Sequence, residues 1–426
     1  MQQQAHGGNL VWAAALAGCP PSAIVDFSAS ISPLGPPDSV LAAIGSQLGS
    51  IRNYPDPDCS DLRIALSDFH QLPSDWILPG NGSAELLSLV GRELAQLAAT
   101  VLITPAFGDY YRALAAYDAK VLEFSLLSQG LGVESRGRGT MYPGTMYPGT
   151  MYPGTMYPGT MYPGTMYSGT MYPGTMYPGT MYSGTMYPGT MYPGTMYRAP
   201  TMVNNPLSII DDKGLLRTDK GIILNNPHNP TGRLFRRDEI LPYLEKFALV
   251  VVDEAFMDFL PPDEEQSLIE YVQDYPNLVI LRSLTKFYSL PGLRLGYALA
   301  HPDRLQRWRA WRDPWTVNTL AMVAGVAALA DKAFQAKTWE WLPDARNQLF
   351  EGLSQIPGLQ PLPGSANFLL VQSEHSCVEL QQRLLKQHQI LIRDCRSFPE
   401  LGDRFFRVAV KTAQDNERLL TALMRE

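Results

Sequence analysis

Short apolar runs alternate with helical spacings along most of the chain. The runs VLIT, KVLEFSLL, GIILNN, ALVVVDEAF and LVILRSL are brief, rich in branched residues and bounded by Gly, Pro, Asn or Asp. Such runs read as strands covered on both faces. Between them, periodic stretches predict helices over about Val40 to Leu48, after YPDPDCSDL through Phe69, from GNGSAE into LLSLVGREL, through GDYYRALAAY, and from about Arg236 to Phe247. This alternation predicts an α/β domain with a mostly parallel central sheet. From about His301 the pattern changes to a Trp- and Ala-rich helix, LQPLPGSANFLLVQ, a helix over Val378 to Gln387, ILIRD, FFRVAV and a last helix. The expected organisation is an N-terminal arm (1–28), a large domain (29–300) and a smaller C-terminal α+β domain (301–426).

One segment obeys neither period. From Thr140 to Tyr197 the chain repeats TMYPG, with Ser168 and Ser183 replacing Pro in two units. Tyr-Pro-Gly-Thr favours a type II turn, because Pro presets φ at its second position and Gly accepts positive φ at its third. So short a repeat offers no two-faced element to pack, so it reads as a flexible insertion within the large domain. An interaction tract using its Tyr and Met is the other reading. Of 17 Met and 21 Tyr, twelve each lie in the repeat, so whole-chain composition overstates both for the folded part.

The 426 residues, 45% of them hydrophobic, suffice for an enzyme-sized core. A net charge of −7 without a Lys/Arg block argues against nucleic acid or an anionic membrane as main partner, and favours a small molecule. Cys19, Cys59, Cys377 and Cys395 have neither C-x-x-C spacing nor clustered His, so no disulfide framework and no metal site is expected. With no leader-like N-terminus and no run of about 18 apolar residues, the expected location is cytoplasmic.

Four motifs carry chemistry. In GNGSAE, the amides of Gly82, Ser83 and Ala84 open a helix and can cradle a phosphate. In NNPHNPTG, two Asn-Pro pairs hold Asn229 rigidly. Asp253 ends an apolar strand, where a buried carboxylate needs a cation or several donors. Lys286 follows another apolar strand at the same carboxyl edge, where open α/β sheets bind ligands. Each has a plainer reading: a tight turn, turn chemistry, an exposed strand end, a surface lysine.

Together they form the set that pyridoxal 5′-phosphate requires. Lys286 binds its aldehyde, Asp253 keeps its ring nitrogen protonated, and Asn229 meets the ring oxygen. Phe107 stands where an aromatic stacks on the ring, although a core role suits it as well. Ser283, Thr285 and Arg294 complete the phosphate grip.

In their order, GNGSAE, TPAFGDY, NNPHNPTG, VVVDEAF, SLTKFYSLPGLRLGY, GSANFLL and FFRVAV resemble the fold-type-I pyridoxal-phosphate enzymes of the histidinol-phosphate aminotransferase group. HGGN, DFSASISPLGPP and DEAF are similar to the threonine-phosphate decarboxylases within it, which make aminopropanol phosphate for cobalamin biosynthesis. The resemblance implies a homodimer in which Tyr54 of YPDP reaches the other subunit's cofactor phosphate. It implies that Arg407 meets the substrate carboxylate, that Arg393 of ILIRD also binds substrate, and that His6 and Ser30 belong to the region gripping the substrate phosphate. Ser30 and Ser32 stand where the decarboxylase pattern has asparagines, so that pocket departs from the pattern. The activity implied is decarboxylation of L-threonine O-3-phosphate, with transamination as the alternative. A catalytically silent scaffold is a third reading, and the intact Lys286, Asp253, Asn229 and Arg294 weigh against it.

Overall fold

The structure is a computed structural model that describes residues 7–126, 149–151, 169–171 and 219–426. His6 and most of the TMYPG tract lie outside the described residues, and so does the reading of that tract as a flexible insertion. By contacts the chain divides into two units, one of residues 1–130 and 203–426, the other of 131–202. In the second unit, two copies of the repeat pair in parallel through Gly149–Met151 and Gly169–Met171.

The described strands in chain order are β1 (Val25–Asp26), β2 (Ile77–Gly80), β3 (Ala99–Thr104), β4 (Val121–Ser125), β5 and β6 (the repeat pair), β7 (Lys220–Asn225), β8 (Leu249–Asp253), β9 (Leu278–Ser283), β10 (Gly296–Ala300), β11 (Leu359–Pro361), β12 (Phe368–Ser373), β13 (Ile390–Leu391), β14 (Arg393–Asp394) and β15 (Phe405–Ala409). The principal helices before β4 are α1 (Leu10–Ala17), α2 (Asp38–Gln47), α3 (Ser60–His70), α4 (Ser83–Leu94) and α5 (Gly108–Ala115).

Seven strands form the main sheet in the order β2-β10-β9-β8-β7-β3-β4. Its runs β3, β8 and β9 are buried at every position, which is why they read as unbroken apolar stretches rather than alternating ones. All its strands run parallel except β10, antiparallel to both its neighbours. A second sheet, β11-β12-β15-β14, is antiparallel throughout.

Local chemistry shortens one expected helix. The stretch from Arg236 to Phe247 yields a helix only over Arg237–Ile240, followed by a 3₁₀ turn at Leu241–Tyr243. Pro242 has no amide hydrogen to donate and its ring crowds the preceding turn, which limits an α-helix there.

The N-terminal arm is tied to the far end of the chain. Strand β1 pairs in parallel with β13, and Phe27 accepts a backbone bond from Ala409. Behind the main sheet's carboxyl edge, Arg282 is buried and bonds Glu254 at 2.9 Å, with Asp258 and Glu265 also bound to its guanidinium. Removing one partner from so buried a pair typically costs about 3–5 kcal/mol, so this cluster fixes the ends of β8 and β9 to each other.

Candidate active site

Strand register brings the chemistry to one edge. Asn225 at the end of β7 lies opposite Asp253 at the end of β8, and Ser283 ends β9 beside them. Asp253 is 4% exposed and accepts a 2.7 Å bond from the Tyr110 hydroxyl and a 3.0 Å bond from the Ala255 amide. Burial raises its pKa, and those two bonds and the charge of Lys286 work against the rise. Among the described residues it has no ion-pair partner within 4 Å, so a buried carboxylate there accommodates a cationic group such as a protonated ring nitrogen.

Lys286 follows β9 by three residues, and its Nζ lies 3.2 Å from Thr285 Oγ1 and 5.4 Å from the ring centre of Phe256. Burial is the main cause that pulls its pKa down to about 8; Asp253 opposes, while Arg294 and Arg407 add to the fall. An amine so tuned is partly unprotonated at mildly alkaline pH, as a nucleophile requires. Ser283 Oγ and Thr285 Oγ1 are 2.7 Å apart.

The loop after β2 supplies the anion cradle. Gly82, with φ +75°, caps α4, and Ser83 and Ala84 form its first turn. The φ of +75° at Gly82 favours glycine, and a Cβ there would stand 2.7 Å from Arg294 Nη2, so that arginine would have to shift. Arg294 itself is exposed and left-handed, φ 57°. A cationic fork over free helix amides suits a phosphate.

Asn229 is held from two sides. Its amide donates to Asn225 Oδ1 at 2.7 Å, while Asn225 Nδ2 donates to the Asp253 carbonyl, also at 2.7 Å. Arg407 Nη1 donates to Asn229 Oδ1, and Arg407 Nη2 reaches the Ser28 carbonyl at 3.4 Å. Thus one arginine of the second sheet joins the β7 loop and the N-terminal arm. Its guanidinium lies 4.8 Å over the Phe368 ring.

Arg393 on β14 stands directly opposite Arg407 on β15. Both are buried, at 5% and 8% exposure. Burial is the leading cause that lowers both pKa values, to about 10 for Arg407, to which the charge of Arg393 also contributes. Like charges facing each other across strands repel. Arg393 donates to Ser397 Oγ at 2.5 Å, but the buried Arg407 Nε and Ser30 Oγ have no hydrogen-bond partner among the described residues. Groups of this kind stay buried at a cost of about 1–3 kcal/mol each unless a ligand satisfies them.

Phe107 caps α5, half-buried and edge-on to Tyr110 at 5.8 Å. Tyr54 is apart from this set: it is 80% exposed and stacks on Trp315 with ring centres 4.6 Å apart. Sequence reasoning missed Tyr110, Asn225 and Phe256 as members of the site. The available signals were Tyr110 in the first turn of the helix that Phe107 caps, and Asn225 as the last residue of an apolar strand.

Residues 204–423 match the family Aminotransferase class I and II. Threonine-phosphate decarboxylase from Salmonella typhimurium is 35% identical over 98% of this chain and 95% of that protein. The chain belongs to the class I and II aminotransferase family. Histidinol-phosphate aminotransferase from Symbiobacterium thermophilum is 28% identical over 94% of the chain and 90% of its own length. In fold, the chain matches histidinol-phosphate aminotransferase from Sinorhizobium meliloti, solved in complex with pyridoxal-5′-phosphate, with a TM-score of 0.71 at 20% identity over 98% of this chain and 94% of that one. The protein is therefore a pyridoxal-phosphate-dependent enzyme of fold type I. The unpaired carboxylate of Asp253, the Gly82 cradle with Arg294 against it, and Lys286 between them fit that cofactor's ring nitrogen, phosphate and aldehyde. Among the described residues no helix is long and apolar enough to cross a membrane, and no group of three His, Cys, Asp or Glu is placed to hold a metal.

Proposed function

We propose that this enzyme decarboxylates L-threonine O-3-phosphate to (R)-1-aminopropan-2-yl phosphate and carbon dioxide, as a step of cobalamin biosynthesis. The observation that carries the reading is the opposed pair Arg393 and Arg407, two buried cations on neighbouring strands. A substrate with both a carboxylate and a phosphate answers two such charges in one molecule; histidinol phosphate brings a phosphate alone, and in transamination the carboxylates come from 2-oxoglutarate in the other half-reaction. The 35% identity to the Salmonella decarboxylase supports the same choice.

In this reading Lys286, Asp253, Asn229, Phe107, Gly82, Ser83, Ala84, Ser283, Thr285 and Arg294 hold the cofactor, and Arg407, Arg393 and Ser30 hold the substrate. Pyridoxal phosphate supplies an electron sink for the pair left on the substrate Cα when a bond there breaks. Arg407, fixed by Asn229 and Ser28, grips the carboxylate and so decides how the substrate sits. Ser30 Oγ and Arg393 serve the phosphate. After carbon dioxide leaves, Lys286 Nζ delivers the proton that replaces it at Cα, a task suited to an amine with a pKa of about 8. The bonds from Tyr110 and Ala255 favour the charged form of Asp253 against the effect of its burial.

Transamination is the second reading, favoured by the 28% identity to the Symbiobacterium aminotransferase. Purified holoenzyme given threonine phosphate should release carbon dioxide and aminopropanol phosphate. Given histidinol phosphate with 2-oxoglutarate, it should form little glutamate. The reverse pattern overturns the proposed reaction.

We also propose a homodimer with shared sites, motivated by Tyr54, which is 80% exposed and stacks on Trp315. Mixing inactive Tyr54→Ala and Lys286→Ala proteins should restore part of the activity, because one site in each mixed dimer has both residues. Absence of recovery despite demonstrated subunit exchange would mean that each site is built from one chain.

A further inference from the structure

Against the end of β2, a cavity of about 180 Å³ is bordered by Arg63 of α3, by Arg309 in the last turn of the helix Pro302–Ala310, and by Arg312 just beyond it. Two of these cations are anchored. Arg63 donates to the Ser74 carbonyl at 3.0 and 2.6 Å, and Arg312 donates to the Pro79 carbonyl at 2.6 Å, with Glu85 at 3.6 Å. Arg309 makes no hydrogen bond or ion pair among the described residues, although it is only partly exposed. The acidic residues of the wall, Asp58 and Asp313, are exposed at the rim. Burial is the main cause that lowers the pKa values of Arg63 and Arg312, and the charge of Arg309 pulls each the same way, against Asp58 and Asp75 at Arg63 and Glu85 at Arg312.

Three guanidinium groups bordering one concavity repel one another, and a concave low-dielectric wall concentrates their field on whatever occupies it. An oxyanion relieves that repulsion, and arginine's fork of donors matches a phosphate better than a single carboxylate oxygen does. We infer that Arg63, Arg309 and Arg312 form a second anion site, distinct from the cofactor and substrate sites, that takes a small phosphate-bearing anion. The site is coupled to the cradle by short links: Arg312 holds the end of β2, and its neighbour Glu85 accepts the Asn81 amide at 2.6 Å. This inference does not depend on which reaction the enzyme performs.

The test is a titration of the holoenzyme with inorganic phosphate, followed by calorimetry, in wild type and in Arg309→Gln. That substitution removes an unpartnered charge near a helix end, so the fold should survive; matching far-UV spectra and melting temperatures check this. Wild type should bind one more phosphate per chain than the variant, or bind it about tenfold more tightly. Glycerol phosphate is titrated in parallel: tighter binding than phosphate identifies a phosphate ester as the ligand, and equal or weaker binding identifies the free ion. Identical phosphate number and affinity in wild type and Arg309→Gln overturns the site. So does a dimer lost in Arg309→Glu with phosphate binding unchanged, which would assign these arginines to a subunit contact.

Discussion

Lys286→Ala should lose catalysis by about 10⁴-fold or more, equivalent to roughly 5.5 kcal/mol of barrier. In the proposed mechanism this amine both holds the cofactor and delivers the proton to Cα, so one substitution removes two functions. The fold should persist, because the Nζ makes one 3.2 Å hydrogen bond, to Thr285, and the site's framework rests on Asn225, Asn229 and the Arg282 cluster instead. The variant should still take up pyridoxal phosphate, now removable by dialysis and without the absorbance of the lysine adduct. Turnover within tenfold of wild type would remove Lys286 from the chemistry altogether.

Asp253→Asn should be the second most damaging change, at about a thousandfold, or roughly 4 kcal/mol. The substitution isolates charge from packing. An asparagine oxygen can still accept from the Ala255 amide, and the amide nitrogen can donate to the Tyr110 oxygen once that hydroxyl turns. What disappears is the negative charge that keeps a ring nitrogen protonated, and with it the electron sink. Single-turnover rates and the spectrum of the bound cofactor should both change, while the melting temperature moves little. A rate loss under tenfold would mean that Asp253 does not face the ring.

Both residues were legible in sequence for the same physical reason: a strand buried on two faces shows as an unbroken apolar run, so the polar residue that ends it marks the sheet edge. Asp253 after LVVV and Lys286 after LVILRS stand out in this way. The glycines of GNGSAE are legible because backbone must pass close to another group there, as the contact between Gly82 and Arg294 shows. Tyr110 is not legible, since a Tyr on an apolar helix face looks like core until the strand that faces it is known. Strand β10 is hidden too: its five residues follow directly on a tight turn and carry no flanking signal of their own. The opposition of Arg393 and Arg407 depends on an antiparallel register between segments separated by the loop from Cys395 to Arg404, which no local pattern specifies.

The bond between Arg407 and the Ser28 carbonyl spans 379 positions of chain. During synthesis the segment that carries Ser28 and Ser30 emerges first and must wait for its partners, β13 and β15, among the last parts to leave the ribosome. At about 5–20 residues per second, that interval is roughly 20 to 75 seconds. From the synthesis of Lys286 until that of Arg407, a further 121 residues or roughly 6 to 24 seconds, the edge bearing Asp253 and Lys286 has no Arg407 across it, and Asn229 has no arginine to hold its side chain. Any chain halted before residue 407 carries a main sheet whose catalytic edge cannot be closed, so substrate recognition is withheld until translation is almost complete.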